Sequence, residues 1–235
     1  MALGLLLESA VRTMVGLLVV ALSGCSGVST YDDNGLAVGA GAGKADSANP
    51  LIDSEYRAPW SCGERFYVSQ GNDGDLCSSG NGDHIQLQNY AWDFALPRHT
   101  PVLASRGGVV TLATNTVKEG DQCFDGCPVA YGTSEFTTCC KSCLLLSNRV
   151  NVTHDDGTVA TYWHLDVATV HQGDRVNAGD PLGYSGTSGC STGPHLHFQV
   201  MQNCPTGFCQ SQAIQFAEAG APGCGQHVVS ANACH

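Results

Sequence analysis

The fold of this chain is decided by residues 149–164, which read RVNVTHDDGTVATYWH. Apolar and polar side chains alternate over residues 149–154 and again over residues 158–164, and such alternation is typical of half-buried β-strands. The Asp-Asp-Gly sequence between them is a turn signal, and an Asp-Gly turn between two alternating runs predicts a β-hairpin. We therefore predict an antiparallel pair of strands over residues 149–164.

Short runs of β-branched and aromatic residues, bounded by Gly-rich turns, lie on both sides of the hairpin. The predicted strands cover residues 90–96, 101–104, 108–113, 174–177, 181–185 and 195–201. Only residues 212–219 have a weakly helical pattern. Many short strands separated by turn signals favour an all-β or β-dominated domain.

The composition narrows the class of protein further. Of the 235 residues, 43% are hydrophobic and only 13% are charged, against an average of about 25% charged. This balance excludes a disordered acidic tail and a coiled coil. The net charge is -11, from 10 Lys and Arg against 21 Asp and Glu. Because no cationic surface is left to neutralise phosphates, we expect no nucleic acid partner.

Residues 1–24 have the features of an export signal. The apolar run at residues 14–22 is shorter than the roughly 20 residues that a membrane-spanning helix needs, and small residues follow it. The sequence Leu22-Ser23-Gly24-Cys25 resembles a bacterial lipobox, in which cleavage before the cysteine leaves a lipidated N-terminus. We predict a lipoprotein signal peptide, and a membrane contact through lipid on Cys25. The alternative is an ordinary signal peptide with an incidental cysteine.

The chain changes in character after this segment. Residues 25–55 consist mainly of Gly, Ala, Ser and Asp, and they contain too little apolar surface to offset the entropy lost on ordering. They predict a flexible tether. Residues 56–235 carry the β-branched and aromatic runs and predict the folded domain.

The number of cysteines is consistent with an exported protein. The chain has 13 of them, and assigning Cys25 to the lipid leaves an even number, which suits disulfide bonds in an oxidising compartment. Short sequence separations suggest the pairs Cys62–Cys77, Cys204–Cys209 and Cys224–Cys234. The five cysteines within residues 118–147 predict a cross-linked surface insertion, with a zinc ribbon as the alternative. These five are Cys123, Cys127, Cys139, Cys140 and Cys143.

Two histidines are placed to act together. His195 and His197 lie two residues apart in a predicted strand, so their side chains point to the same face, while Leu196 and Phe198 point into the core. This arrangement allows one histidine to hold a metal while the other acts on bound water.

A similar pattern recurs in the hairpin and in one earlier strand. Tyr162 and His164 are expected to share a face, with Trp163 opposite, and Asp93 lies alone in an apolar strand. Each of these residues has a simpler interpretation. A strand histidine is usually a structural residue with satisfied hydrogen bonds, and Asp93 could pair with a cation such as Arg149. Taken together, they are explained by Zn²⁺ bound through His and carboxylate ligands with one open position.

The segment from residue 90 to residue 197 resembles the lysostaphin-type (LytM-like) zinc endopeptidases, which cut peptide cross-links in bacterial cell walls. The matching pieces are DFALP at 93–97, TPVLA at 100–104, GVV at 108–110, HDDGT at 154–158, YWHL at 162–165, GDRVNAGD at 173–180, GYSGTSG at 183–189 and GPHLHF at 193–198. The resemblance implies a two-sheet antiparallel β domain with its site in a groove.

The same resemblance implies residue roles. Asp93 and His197 match metal ligands, and His164 and His195 match the catalytic pair that flanks the metal-bound water. The third ligand departs from the family pattern, because Asn89 occupies the usual histidine position four residues before Asp93. The nearest histidine is His84, and we expect the intervening residues to fold back so that it becomes the third ligand.

The resulting prediction is a zinc endopeptidase with one Zn²⁺ per domain, acting on the stem peptides of peptidoglycan. One alternative is a non-catalytic relative that binds cell wall or activates a hydrolase through the same groove. A second is a disulfide-stabilised surface module with an incidental metal. We expect an exported protein, anchored by lipid to the cell envelope at the periplasmic face of the outer membrane, or secreted if Cys25 is not lipidated. The sequence identifies no protein partner.

Overall fold

The computed structural model describes residues 30–31, 37–38, 52–77, 82 and 84–234, with side chains from residue 56 onward. The predicted signal peptide, Cys25 and most of the predicted tether lie outside the described residues. Strands β1 (Thr30–Tyr31) and β2 (Ala37–Val38) pair antiparallel within a first unit, residues 1–44. All further described elements belong to a second unit, residues 45–235.

Most of the regular secondary structure described in the second unit is β-strand. They are β3 (Ile52–Tyr56), β4 (Arg65–Gln70), β5 (Trp92–Phe94), β6 (Pro101–Leu103), β7 (Gly108–Thr114), β8 (Asn148–Thr153), β9 (Thr158–Ala168), β10 (Arg175–Val176), β11 (Pro181–Ser185), β12 (Leu196–Gln202), β13 (Ile214–Phe216) and β14 (His227–Val229). The helical elements are α1 (Ser134–Cys143) and two 3-10 turns, Asn72–Gly74 and Gln86–Gln88. In the part of the chain that is described, no helix is both long and apolar enough to cross a bilayer.

Ten of these strands form one antiparallel sheet in the order β10-β7-β8-β9-β12-β5-β4-β14, with β11 paired to both β9 and β6. Strands β3 and β13 pair in parallel outside it. The predicted hairpin is the β8–β9 pair, in which Thr153 lies opposite Val159. The predicted all-β, antiparallel fold with a disulfide-rich insertion is thereby confirmed.

The two faces of the central strands separate the core from the site. Strand β12 pairs with β9 so that Phe198 lies opposite Tyr162 and His197 lies opposite Trp163. Phe198 and Tyr162 are fully buried, with ring centroids 5.3 Å apart. Burial of large apolar side chains such as these contributes roughly 25 cal/mol per Å². The core therefore lies on the Phe198 side, and His197 projects from the opposite face.

A β-bulge in β9 moves His164 away from its expected position. Asn148 of β8 pairs with Leu165 and Val150 pairs with Tyr162, so two residues of β9 lie opposite one residue of β8. His164 has a φ of 62°, in the left-handed region that non-glycine residues seldom adopt. Its side chain therefore lies on the same face as His197.

The prediction that Tyr162 and His164 share a face, with Trp163 opposite, is therefore wrong. Tyr162 points into the core, where its hydroxyl accepts a hydrogen bond from the backbone N–H of Ser105 at 2.8 Å. Strict alternation fails here because the bulge inserts one residue between Tyr162 and Leu165.

Two further expectations differ from the structure. Residues 212–219 contain strand β13 and a turn rather than a helix. Ile214 and Phe216 are buried while Gln215 is exposed, which is the two-residue period of a strand. The insertion contains helix α1, which the sequence pattern does not indicate. The Thr133 side chain caps this helix by accepting a hydrogen bond from the N–H of Phe136 at 3.1 Å.

The disulfide pairing corrects two of the three suggested bonds. Cys204–Cys209 forms as predicted, but the others are Cys62–Cys234 and Cys77–Cys224. The reason is that β4 pairs with β14, which brings the two ends of the domain together. In the insertion the cysteines form bonds instead of a zinc ribbon. These bonds are Cys123–Cys143, Cys127–Cys139 and Cys140–Cys190.

Candidate metal and catalytic centre

Five side chains converge on one face of the sheet, and they come from separate strands and loops. Asp93 lies on β5 directly opposite His197 on β12. His164 lies at the bulge of β9, and His195 comes immediately before β12. His84 precedes the 3-10 turn Gln86–Gln88. The structure therefore brings together all five residues that the sequence singled out.

Three of them form a compact group of nitrogen and oxygen donors. Asp93 Oδ1 lies 3.2 Å from His84 Nε2 and 3.0 Å from His197 Nδ1. One donor atom from each residue lies within 4.8 Å of the other two. His84 is 1% exposed, His197 5% and the Asp93 side chain 16%. Two histidines and one carboxylate at such separations fit the ligand set of a zinc site.

The hydrogen bonds of the two histidines support this fit. His84 Nδ1 donates to the carbonyl oxygen of Gly71 at 3.0 Å, which leaves a lone pair on Nε2 in the neutral ring. His197 Nε2 lies 3.2 Å from Oε1 of Gln199, which leaves its Nδ1 lone pair directed at Asp93. Three electron-pair donors that face one another require a proton or a cation between them. Metal-binding histidines usually donate their second nitrogen in this way.

His84, rather than Asn89, reaches Asp93. The chain between them folds back through the 3-10 turn, which Asn89 closes by donating its N–H to the Gln86 carbonyl at 3.3 Å. The Asn89 carbonyl in turn accepts a hydrogen bond from the N–H of Asp73 at 2.6 Å. The looped-out segment therefore places the His84 ring beside Asp93.

The charge state of Asp93 follows from its neighbours. Burial on its own would raise the pKa of this carboxyl group. The nearby rings of His84 and His195, together with the close contact of His197 at 3.0 Å, instead hold the pKa well below its usual range. Asp93 is therefore ionised, as a metal ligand must be.

His164 and His195 form a second pair beside the three donors, with ring centroids 4.5 Å apart. His164 Nδ1 donates to the carbonyl of Ser188 at 2.7 Å. Burial, together with the neighbouring rings of His195 and His197, lowers the pKa of His164 to about 3. His195 Nδ1 lies 2.9 Å from the Gly193 carbonyl, and its Nε2 lies 3.7 Å from Asp93. In both rings a backbone carbonyl engages Nδ1, which leaves Nε2 for other contacts.

The loop of residues 186–193 holds both rings, and the insertion holds that loop. The Cys140–Cys190 bond joins α1 to it. Backbone hydrogen bonds run from Cys127 N–H to the Ser191 carbonyl at 2.6 Å and from Gly189 N–H to the Cys123 carbonyl at 2.7 Å. The disulfide-rich insertion thus fixes the segment on which the two histidines depend. Sequence reasoning treated it only as a surface feature.

Trp163, with Arg149 stacked on it, lies beside the site in an arrangement that sequence reasoning did not predict. Asp93 pairs with histidines, and the alternative of a pair with Arg149 is not what the structure shows. Arg149 instead stacks over the ring of Trp163, 4.6 Å from its centroid. The Trp163 ring lies 6.1 Å from that of His197. The pairing of Trp163 opposite His197 could have indicated this position.

A family model and several curated proteins match part of this chain. A model described as Peptidase family M23 matches residues 88–207. An uncharacterized metalloprotease of Buchnera aphidicola subsp. Baizongia pistaciae is 31% identical over 108 residues, which are 46% of this chain and 22% of that protein. Peptidoglycan DD-endopeptidase ShyA of Vibrio cholerae is 30% identical over 109 residues, 46% of this chain and 19% of that protein. The chain thus matches about a fifth of the length of these curated relatives.

Among solved structures, the catalytic domain of the antimicrobial peptidase lysostaphin from Staphylococcus simulans aligns with a TM-score of 0.38 and 27% identity, over 63% of this chain and 87% of that one.

The family match begins after His84 and includes Asp93, His164, His195 and His197. It covers just over half of the chain, and the resemblance to lysostaphin-type proteins is confirmed. This chain belongs to peptidase family M23, the lysostaphin or LytM type.

Proposed function

We propose that this protein is a zinc endopeptidase that hydrolyses the peptide cross-links of bacterial peptidoglycan. Membership of peptidase family M23 and the names of the two relatives, a metalloprotease and a peptidoglycan DD-endopeptidase, support a metal cofactor and this substrate. The observation that carries the proposal is the convergence of His84, Asp93 and His197 beside the His164–His195 pair.

In this proposal His84, Asp93 and His197 hold one Zn²⁺. When bound, Zn²⁺ would supply Lewis acidity toward a peptide carbonyl and lower the pKa of water toward about 7. The protein contributes the orientation of the ligands. The Gly71 carbonyl fixes the tautomer of His84, and Gln199 fixes that of His197.

The His164–His195 pair supplies the proton chemistry. The lowered pKa of His164 keeps its ring neutral at physiological pH, so its Nε2 accepts a hydrogen bond and orients the attacking water. His195 is the more exposed of the two, and its Nε2 lies 3.7 Å from the carboxylate of Asp93. We assign to His195 Nε2 the removal of a proton from water, stabilisation of the oxyanion, and return of a proton to the leaving amine.

The proposed location follows from the substrate and the N-terminal sequence. Peptidoglycan lies outside the cytoplasm, and residues 1–24 with Cys25 resemble a lipoprotein signal. We propose that acylated Cys25 anchors the chain at the periplasmic face of the outer membrane and that residues 26–50 let the domain reach the wall. An ordinary signal peptide would instead release the protein.

The direct test combines metal content with wall digestion. The purified protein should contain one zinc per chain, release cross-link cleavage products from purified sacculi, lose activity in a chelator and recover it with Zn²⁺. Mass spectrometry of the products identifies the bond that is cut. A protein that binds sacculi but releases no new amine from them, with zinc supplied, would instead be the non-catalytic wall-binding or hydrolase-activating module.

A further inference from the structure

The guanidinium of Arg149 differs from those of Arg98 and Arg106, which are also partly buried. Arg98 donates hydrogen bonds to Asp166, and Arg106 makes an ion pair with Asp156 at 2.5 Å. Within the described residues, the guanidinium of Arg149 has no ion pair and no hydrogen bond, although its side chain is half-buried. Burial lowers its pKa, and no carboxylate opposes that effect. A partly desolvated cation without a counter-ion is costly unless a ligand supplies one.

The ring under this guanidinium is held firmly. Trp163 Nε1 donates to Thr161 Oγ1 at 2.6 Å, and that hydroxyl donates to Asn151 Oδ1 at 2.6 Å. Phe208, in the loop closed by Cys204–Cys209, packs against the same ring with centroids 5.1 Å apart. Arg149 is thus laid over a fixed aromatic plane, which reduces the conformational entropy it would lose on binding a ligand.

The position of Arg149 relates it to the candidate centre. Its Cζ lies 4.6 Å from the centroid of Trp163, which lies 6.1 Å from that of His197. The guanidinium is therefore within about 11 Å of the His197 ring, the length of roughly three extended residues. A peptide held with its scissile bond at the centre and running past Trp163 would place a nearby residue over Arg149.

We propose that Arg149 and Trp163 form a subsite for a carboxylate of the substrate peptide, within about three residues of the bond that is cut. This inference rests on the proposed peptidase function. The planar guanidinium offers two parallel N–H donors that match the two oxygens of a carboxylate. The chain as a whole has a net charge of -11, which makes such a local cation a selective feature. The carboxylate is either a side-chain group or the C-terminus of the peptide.

The test compares three soluble cross-linked stem peptides, one with free carboxylates, one amidated only at its C-terminus and one amidated only at its side-chain carboxylates. The zinc-loaded protein is assayed for kcat/KM and for binding by calorimetry. We expect one of the two amidations to lower kcat/KM and the binding affinity by about 10- to 100-fold, the range that hydrogen bonds to a charged group usually contribute. The amidation that does so identifies the source of the carboxylate.

The variants are Arg149→Gln, Arg149→Lys and a matched control, Arg175→Gln, at an exposed arginine of β10. Arg149→Gln should bring the ratio of kcat/KM for the free peptide to kcat/KM for the amidated peptide close to one. Arg149→Lys should give an intermediate ratio. Arg175→Gln should keep the wild-type ratio. Unchanged thermal unfolding and zinc content show that Arg149→Gln still folds.

The outcomes separate this subsite from the proposed reaction. If wild type binds the free carboxylate more tightly in an Arg149-dependent manner but cleaves nothing, the subsite stands and the peptidase proposal fails. If wild type cleaves or binds all three peptides equally, the subsite is refuted. An Arg149→Gln protein that keeps the wild-type ratio refutes it as well.

Discussion

Removal of the Cys140–Cys190 bond should impair catalysis beyond its effect on stability. This bond joins helix α1 of the insertion to the loop of residues 186–193. The Ser188 carbonyl in that loop accepts a hydrogen bond from His164, and the Gly193 carbonyl accepts one from His195. A double change, Cys140→Ser with Cys190→Ser, therefore loosens the segment that orients both rings.

The size of the stability loss follows from the loop that the bond closes. Its cysteines are 50 residues apart, and in the chain-entropy model a loop of this length contributes about 4 kcal/mol. For a domain of this size, that loss lowers Tm by about 8 to 16 °C. Misplacement of a catalytic group by an ångström can cost on the order of 100-fold in rate. We therefore expect kcat to fall about 100-fold, while KM and zinc content change little.

A matched control is the double change Cys62→Ser with Cys234→Ser. These cysteines are 172 residues apart, but the Cys77–Cys224 bond already closes most of that loop. Removal of the Cys62–Cys234 bond releases a loop of about 25 residues, whose closure contributes about 3.5 kcal/mol to stability. This loss is close to that of the test variant. Cys62 precedes β4 and Cys234 follows β14, and neither segment carries a site residue.

Both variants are unfolded by heat and then assayed for hydrolysis and zinc at a temperature below both transitions. The control should keep wild-type kcat despite its lowered Tm. If the two variants lose Tm and kcat in parallel, or if the Cys140–Cys190 variant keeps wild-type kcat, the insertion does not position the histidines and the reasoning is refuted.

Three further outcomes are expected. His195→Ala should retain zinc while kcat falls by about 10²–10⁴-fold, since its role is proton transfer; loss of zinc would contradict that role. Burial lowers the pKa of His154 below its usual 6.5, so its neutral form stabilises the fold above pH 6.5 and that stability is lost as the pH falls. The free energy of unfolding in urea should therefore fall more steeply from pH 7 to pH 5 for wild type than for His154→Asn. Equal slopes would contradict this role of His154. Cys25→Ser should shift the protein from the membrane to the soluble fraction, and an unchanged distribution would exclude the lipid anchor.

Much of the fold was predictable because local rules decide it. The β8–β9 hairpin follows from alternation around an Asp-Gly turn, and the shared face of His195 and His197 follows from the two-residue period of a strand. Asp93 was recognisable as a lone carboxylate in an apolar strand, where it required a partner.

The rest depends on contacts between residues distant in sequence. The bulge at His164 is defined by the shifted register of β8 against β9, and no pattern within β9 shows this. Pairing of Cys62 with Cys234 follows from the contact of β4 with β14. The Cys-rich insertion has a small core of its own, built on disulfides and Phe136, so its helix has little sequence periodicity to reveal it.

The contact of His84 with Asp93 is also a long-range result. It depends on the fold-back of residues 84–90 and on the carbonyl of Gly71, which accepts from His84 Nδ1. The sequence identified His84 as the nearest histidine, whereas the geometry supplies the tautomer that directs Nε2 toward Asp93.

The most direct test of the proposed centre is the zinc content of His84→Ala beside that of Asn89→Ala, measured by elemental analysis of the purified chains. Wild type and Asn89→Ala should each hold one zinc per chain and digest sacculi. His84→Ala should lose zinc and hydrolysis together, because only Asp93 and His197 would remain. A His84→Ala protein that keeps both its zinc and its activity would show that His84 is not a ligand and would contradict the proposed centre.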